Sequence, residues 1–298
     1  MSKVSVIIPA RNEGKFLQKT IDSLLEKSEG DIEVIAVLDG YSQDILDDER
    51  VLVLRNSGPL GMRACINRAA NIASGDFLFK VDAHCAFQQG FDVKLASDCD
   101  YDWLMIPSRY SLDADTWWIQ NNGKSRVDYH YLSCPMTDKN NDPGLHGRVW
   151  NERARDRKDD PGLSIDDEMS FQGSAWFMNK NYFIQHCGGM QEEGYGTFIQ
   201  EPQELGLKVW LGGGRVVVNK NTFYLHLHKG KEHGRGYFIS KGEMYRGSVY
   251  STEYWMRNKW PKQTRAFSWL IEKFWPVPTW PENWEELVDD YFKTGHYA

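Results

Sequence analysis

Short apolar runs alternate with amphipathic stretches along the first hundred residues. Short, mostly apolar runs at 4–8, 33–38, 51–54 and 76–81 predict buried strands. Apolar residues at helical spacing predict a helix over 15–27, and a second over 59–74 has proline near its start and glycine just past its end. This order of elements is typical of the nucleotide-binding half of a doubly wound α/β sheet.

The pattern is less regular in the second half of the chain. Residues 108–167 contain turn sequences at 140–144 and 158–162 with charges between them, which fits either solvated loops or an acceptor-side insertion. Regular patterning returns at 169–178, followed by a predicted helix, a helix over 201–210 and an apolar run at 215–218. From residue 230 the chain is dense in Trp and Tyr, and prolines break it into short pieces.

Composition and charge limit the function classes. The 298 residues are 26% charged and 41% hydrophobic, which is ordinary for a globular protein. A net charge of −7 argues against a large contact with a phosphate backbone, although a local basic groove is compatible with it. Five scattered cysteines without a CxxC pair suggest a reducing compartment, and no apolar run approaches the roughly 20 residues of a membrane span. We therefore expect a cytoplasmic protein without a leader peptide or membrane span.

The clearest candidate chemistry follows the run at 76–81. Asp82 and His84 come at the carboxyl end of this predicted strand, where open α/β sheets bind ligands. A carboxylate and an imidazole two residues apart can face one divalent cation, although Asp-x-His by itself is more often a structural pair. His226 and His228 end a later strand, and one of them could be the third ligand. Such a set, with positions left for phosphate oxygens, suits Mn²⁺ or Mg²⁺ bridging a diphosphate.

Three further residues are candidates for holding a nucleotide. Asp39 ends the second predicted strand, where a carboxylate can contact a base or ribose or simply form the turn. Arg63 lies one turn into a helix and either reaches a phosphate or is solvated. Lys229 follows His226 by three residues and either faces the diphosphate or stays on the surface, which is the commoner fate of a lysine.

Carboxylates and aromatic residues of the second half could hold the rest of a substrate. Glu201 and Glu204 open a predicted helix, where they either favour the helix dipole or act on a sugar as general base or hydroxyl partner. Trp176, Phe198 and Trp210 could form the wall of a sugar site, but isolated aromatic residues are more often core.

A series of motifs in the right order resembles those of GT-A glycosyltransferases of the family 2 type. Residues 9–13 (Pro-Ala-Arg-Asn-Glu), 37–42 (Val-Leu-Asp-Gly-Tyr-Ser) and 82–84 (Asp-Ala-His) resemble the family's signature series. The Asp-Ala-His-Cys form, with Gly-Met-Arg at 61–63, is similar to polypeptide N-acetylgalactosaminyltransferases. The later segments with the same resemblance are Gly188-Gly189, residues 201–204 and 208–210, and the His-x-x-Lys at 226–229.

This resemblance implies a fold and a domain division. The fold is an α/β GT-A fold, a Rossmann-like α/β/α sandwich with a mixed central sheet. Residues 1–230 form the glycosyltransferase domain, with a nucleotide-binding half at 1–107 and an acceptor and metal-completing half at 108–230. Residues 231–298 form an aromatic-rich C-terminal extension that packs on this domain or makes an acceptor wall. The loop at 230–236, which is rich in Gly and basic residues, is a candidate lid over a bound donor.

The resemblance also implies ligands and roles. The donor is a UDP-sugar, with Asp39 near uracil and Arg63 near the nucleotide, and His226 rather than His228 completes the Mn²⁺ or Mg²⁺ site. Lys229 stands where the family has Arg and lacks the bidentate fork of a guanidinium. The residues assigned by it are Pro9, Arg11, Glu13, Asp39, Arg63, Asp82, Phe198 and Glu204 for the donor, Asp82, His84 and His226 for the metal, and Glu201 and Lys229 for catalysis.

Several alternatives stay open. Glu201 either activates the acceptor, as in an inverting enzyme, or positions the sugar, as in a retaining one, and the motifs lean towards retention. The same fold allows a nucleotidyltransferase, although no Gly-rich loop bearing a lysine follows the first strand. A non-catalytic nucleotide-sugar-binding protein is the third possibility. The acceptor is a glycan, a lipid-linked precursor, a protein or a hydroxylated DNA base, and the oligomeric state is open.

Overall fold

The computed structural model describes residues 2–120, 126–137, 141–158 and 160–294. Residues 140 and 159 of the two predicted turn sequences lie outside these ranges. The strands are β1 Val4–Ala10, β2 Ile32–Asp39, β3 Val51–Asn56, β4 Phe77–Val81, β5 Cys85–Phe87, β6 Trp103–Ser111, β7 His130–Leu132, β8 Gly147–Val149, β9 Ile165–Asp167, β10 Ala175–Asn179 and β11 Arg215–His226. The helices are α1 Lys15–Lys27, α2 Met62–Ile72, α3 Phe91–Asp98, α4 Asn151–Arg157, α5 Glu201–Leu211, α6 Gly230–His233, α7 Lys241–Met256, α8 Phe267–Phe274 and α9 Trp284–Thr294.

Nine strands of the described chain form one mixed sheet, which confirms the predicted fold. The order is β3-β2-β1-β4-β10-β6-β11-β5, with β9 also paired to β11. Strands β1 to β4 are parallel, β10 runs antiparallel to both β4 and β6, and β11 runs parallel to β6. Strands β1, β2, β4, β6 and β11 therefore point the same way, and their carboxyl ends meet at one edge of the sheet.

Alternating side chains of the strands bury both faces of the sheet. In β1, Val6 and Ile8 pack with α1 and α3, whereas Ile7 packs with α2 and α5 on the opposite face. Helix α1 contributes its predicted apolar stripe, including Leu17 and Ile21, both fully buried. The result is the α/β/α sandwich expected from the sequence.

Three predictions about individual elements are wrong. The helix predicted over 59–74 begins only at Met62, because Gly61 adopts a φ of +95° that excludes it from the helix. The helix predicted after residue 178 is a five-residue π-helical turn, Tyr182–His186. The apolar run at 215–218 and the later strand predicted to end at His226 and His228 are one strand, β11, whose pairing with β6 is interrupted by a bulge.

The C-terminal segment joins the core on the α5 face. Helix α8 buries Phe267, Leu270 and Phe274, and Trp280 donates from Nε1 to the carbonyl of Leu132 at 2.7 Å. Because these residues share one core with residues before 230, the segment packs on the sheet, while the domain boundary at 230 stays a prediction. Within the described ranges, every helix is too short or too polar to cross a membrane.

Candidate functional site

A cavity of about 870 Å³ opens at the edge where the parallel strands end. The ends of β1, β2, β4 and β11 contribute Pro9, Asp39, Asp82 and His226 to its wall. The start of α5 contributes Glu201. The position agrees with the rule that open α/β sheets bind ligands at the carboxyl ends of their strands.

Asp82, His84 and His226 converge on one point of this wall. Oδ2 of Asp82 lies 3.3 Å from Nε2 of His226 and 3.9 Å from Nε2 of His84. One potential ligand atom from each residue lies within 4.8 Å of the other two. The backbone holds the two loops together, since the N–H of Leu227 donates to the carbonyl of His84 at 3.1 Å.

These three residues suit a divalent cation. Neither ring nitrogen of the buried His226 makes a hydrogen bond of good geometry to the described residues, although Nε2 lies 3.3 Å from Oδ2 of Asp82, and both nitrogens are therefore open to a ligand. Burial lowers the pKa of His226 to about 3, so its imidazole is neutral and able to ligate. Burial opposes ionisation of Asp82, but Lys80, His226 and His84 together hold the pKa of this carboxyl well below its usual range. A carboxylate together with two imidazoles is a donor set that can hold a divalent transition-metal cation.

Glu13 organises the residues around this point. Its Oε2 lies 3.1 Å from Nδ1 of His84 and accepts from Nζ of Lys229 at 2.8 Å. Burial opposes ionisation of Glu13, but these two contacts lower its pKa, so the carboxylate stays charged. A carboxylate on Nδ1 leaves Nε2 of His84 available to a cation, which is how such pairs orient metal-binding histidines.

Lys80 joins the candidate metal ligand to Glu201. This lysine is fully buried in β4, and its Nζ lies 2.8 Å from Oδ1 of Asp82 and 3.5 Å from Oε2 of Glu201. Glu201 also accepts from Nε1 of Trp176 through Oε1. Burial raises the pKa of Glu201, and Lys80 opposes this rise. Both oxygens of the Glu201 carboxylate are therefore engaged inside the protein.

The carboxylate of Asp39 accepts hydrogen bonds from the segment that connects β3 to α2. Its Oδ1 accepts from the N–H of Leu60 at 2.7 Å and from Nδ2 of Asn56 at 2.9 Å, and its Oδ2 accepts from the N–H of Gly61 at 3.0 Å. Asp39 is nevertheless one of the residues that line the cavity. Both alternatives from the sequence, a turn former and a nucleotide contact, are compatible with this position.

Arg63 and Glu204 are not among the described residues that line the cavity, and their assignment to the donor stays a prediction. Arg63 is 1% exposed and pairs with the fully buried Glu204. Its guanidinium also lies 4.0 Å from the ring centroid of Tyr195 and donates to the carbonyl of Ile199 at 2.5 Å. Glu204 additionally pairs with Lys208 at 2.6 Å. The two residues form a buried ion pair between α2 and α5.

The remaining assigned residues line the cavity. Pro9, Arg11, Glu13, Phe198 and Lys229 are all part of its wall. The other two aromatic residues considered from the sequence, Trp176 and Trp210, are core residues with at most 1% exposure.

Sequence reasoning missed Lys80, and it named neither Arg235 nor Tyr237 as residues of the site. A charged residue inside the apolar run 77–81, two positions before Asp82, was the available signal for Lys80. Arg235 and Tyr237 also line the cavity, where they lie 4.8 Å from Phe198 and 5.2 Å from Arg11 as cation–ring pairs. Arg235 belongs to the loop at 230–236, which is rich in Gly and basic residues, and the role of this loop as a lid stays a prediction.

Comparison with known proteins places the chain among glycosyltransferases. Putative polypeptide N-acetylgalactosaminyltransferase 13 of Drosophila melanogaster is 34% identical over 109 residues, which is 30% of this chain and 20% of that protein. Polypeptide N-acetylgalactosaminyltransferase 5 of Caenorhabditis elegans is 25% identical over 240 residues, 73% of this chain and 36% of that protein. The chain thus spans between a fifth and little more than a third of the length of these curated relatives.

Solved structures show the same fold at low identity. The crystal structure of GalNAc-T7 with UDP, GalNAc and Mn²⁺ matches all of this chain and 58% of that chain, with a TM-score of 0.68 and 17% identity. The 1–349 fragment of TarS from S. aureus, in complex with UDP-GlcNAc, matches 97% of this chain and 71% of that chain, with a TM-score of 0.54 and 15% identity. Residues 5–161, more than half of the chain and the part that carries Asp82 and His84, match the family model of Glycosyl transferase family 2. The chain therefore belongs to glycosyltransferase family 2.

Proposed function

We propose that this protein is a divalent-cation-dependent glycosyltransferase that moves a sugar from a UDP-sugar to a hydroxyl group. The observation that carries the proposal is the convergence of Asp82, His84 and His226, with their ligand atoms within 4.8 Å, on the wall of the strand-end cavity. The neighbours of the same fold that hold UDP with Mn²⁺, or UDP-GlcNAc, support a nucleotide-sugar donor.

The cation, when bound, offsets negative charge on the departing diphosphate as a Lewis acid. Asp82, His84 and His226 would hold it. Lys229 donates one hydrogen to Glu13 and has two more, so its ammonium can also donate to a diphosphate oxygen. These side chains would stabilise the leaving group through fixed charges.

Glu201 is better placed to position the sugar than to take a proton. A general base must come within hydrogen-bond reach of the hydroxyl that it deprotonates. Glu201 is 2% exposed, and its carboxylate is held in place by Nε1 of Trp176 and, at 3.5 Å, by the ammonium of Lys80. We therefore favour the retaining alternative, in which this carboxylate supports the donor sugar.

Removal of divalent cations should abolish turnover. We expect EDTA treatment followed by desalting to stop the release of UDP from UDP-GalNAc or UDP-GlcNAc, and added Mn²⁺ to restore it, because the diphosphate then lacks its counter-charge. Released UDP is measured with and without a panel of hydroxyl acceptors, and desalting without EDTA is the control. Undiminished release in EDTA would contradict the cation's role. Pyrophosphate formation from a nucleoside triphosphate and a sugar phosphate would instead reveal a nucleotidyltransferase.

We expect Asp39 to make the affinity for a nucleoside diphosphate depend on its base. Uracil presents an N3–H donor, whereas cytosine presents an acceptor at the same position. Oδ2 of Asp39 accepts one hydrogen bond from the protein, and a carboxylate oxygen can accept a second. We expect UDP to bind about tenfold or more tightly than CDP in calorimetry with Mn²⁺ present, since cytosine would face the carboxylate with an unsatisfied acceptor. Equal affinities would remove Asp39 from the base site.

A further inference from the structure

Lys80 is a fully buried ammonium group whose partners are all oxygen atoms. It interrupts the apolar strand β4, and its side chain is 1% exposed. Nζ lies 2.8 Å from Oδ1 of Asp82, 2.5 Å from the carbonyl oxygen of Gly173 and 3.5 Å from Oε2 of Glu201. Burial of a charge is costly unless such partners surround it, so the position has a reason beyond packing.

The contact with Lys80 decides how Asp82 faces the cavity. Because the ammonium holds Oδ1, the carboxylate is oriented with Oδ2 towards His226 and His84, at 3.3 Å and 3.9 Å. The same ammonium lies between Asp82 and Glu201 and offsets the repulsion between their two carboxylates. Asp82 is thereby prepared to offer a single oxygen to a cation.

We propose that Lys80 is a positioning residue for the cation site. It fixes Asp82 as a ligand through Oδ2 alone and keeps Glu201 tethered on the other side of the ammonium. This inference rests on the proposed function, because it concerns the same cation. Lys80 contacts neither the cation nor the reacting atoms in this arrangement, and it acts through Asp82.

Two physical effects of removing Lys80 oppose each other. Loss of a positive charge near the site would by itself tighten the binding of a cation. Loss of the oriented carboxylate, with Glu201 left facing Asp82, would weaken it. We expect the loss of the oriented carboxylate to outweigh the loss of the positive charge, since removal of a group that orients a metal ligand commonly costs 10–100-fold in metal affinity.

The test is the Mn²⁺ affinity of the Lys80→Met variant, measured by electron paramagnetic resonance titration of the full chain without nucleotide. We expect roughly 10–100-fold weaker binding than in the wild type. Lys208→Met is the matched control, because Lys208 is also buried and paired with a buried glutamate, Glu204, but does not line the cavity. Its Mn²⁺ affinity should equal that of the wild type. If the loss of any buried lysine weakened Mn²⁺ binding, this variant would bind Mn²⁺ weakly as well.

A double variant keeps the test decisive if Lys80→Met does not fold. Lys80→Met with Glu201→Gln removes one buried charge of each sign, and Oδ1 of Asp82 still lacks its ammonium partner. We expect the double variant to bind Mn²⁺ roughly 10-fold or more weakly than the wild type. Wild-type affinity in either variant would overturn the role of Lys80 and leave the proposed function intact. Failure of the wild-type protein to bind Mn²⁺ would overturn the cation site and this inference together.

Discussion

Replacing Asp82 with asparagine should lower Mn²⁺-dependent UDP release by roughly a thousandfold, as expected when a principal electrostatic group of an active site is lost. Asparagine has nearly the same shape and retains an oxygen, but its amide is neutral and binds a hard cation poorly. The rate of UDP release from UDP-GalNAc or UDP-GlcNAc at saturating Mn²⁺ is the measurement.

The control for this variant is Asp98→Asn. Asp98 accepts hydrogen bonds from Asn219 and Asn221, and it does not line the cavity. It should keep wild-type turnover, and both variants should be checked for an unchanged melting temperature. Wild-type turnover in Asp82→Asn, with its dependence on Mn²⁺ retained, would contradict the proposed function at its central residue.

Replacing Arg63 with methionine should lower the free energy of unfolding by about 3–5 kcal/mol, the usual cost of removing one partner from a buried ion pair. The variant leaves Glu204 buried with less compensation and also loses the contact with Tyr195 and the hydrogen bond to Ile199. Urea denaturation at constant pH measures the change.

The matched control for Arg63 lies on the same helix. Arg68 is exposed, so Arg68→Met should change the free energy of unfolding by about 0.5 kcal/mol or less. The opposite result for Arg63→Met, which is unchanged stability together with weakened UDP binding, would return Arg63 to the donor site that the family resemblance implies.

Arg63 and Glu204 show what a sequence motif cannot predict. The segment 61–63 matches the family motif, yet Arg63 turns into the interface between α2 and α5. Glu204 shares a helical turn with Glu201, but Glu201 lines the cavity and Glu204 pairs with Lys208. Side chains three residues apart on a helix lie on the same face of it, so the spacing alone does not distinguish Glu201 from Glu204. The packing of α5 against the sheet and α2 separated their environments, and the motif carries no information about that packing.

The local hydrophobic pattern was enough to predict those strands and helices whose limits are set by consecutive residues. The alternation of apolar runs and amphipathic stretches predicted β1, β2, β4 and α1 close to their observed limits, because the period of burial is encoded in consecutive residues. It failed at Gly61, where a positive φ and a hydrogen bond to the distant Asp39 set the start of α2. It also failed to detect the role of Lys80. A strand pattern predicts which positions are apolar and buried, but it does not show which groups surround a charged residue at such a position.

The sequence by itself determined the α/β/α fold, the family and the chemical types at the ends of β4 and β11. The order of strands and helices and the Asp-x-His pair are properties of short contiguous stretches. Only the tertiary structure decided which of these side chains meet. Asp82 and His226 are 144 positions apart and come within 3.3 Å because β4 and β11 run in the same direction across the sheet. Strand direction and order depend on pairings between distant segments, so the geometry of the site follows from the completed sheet.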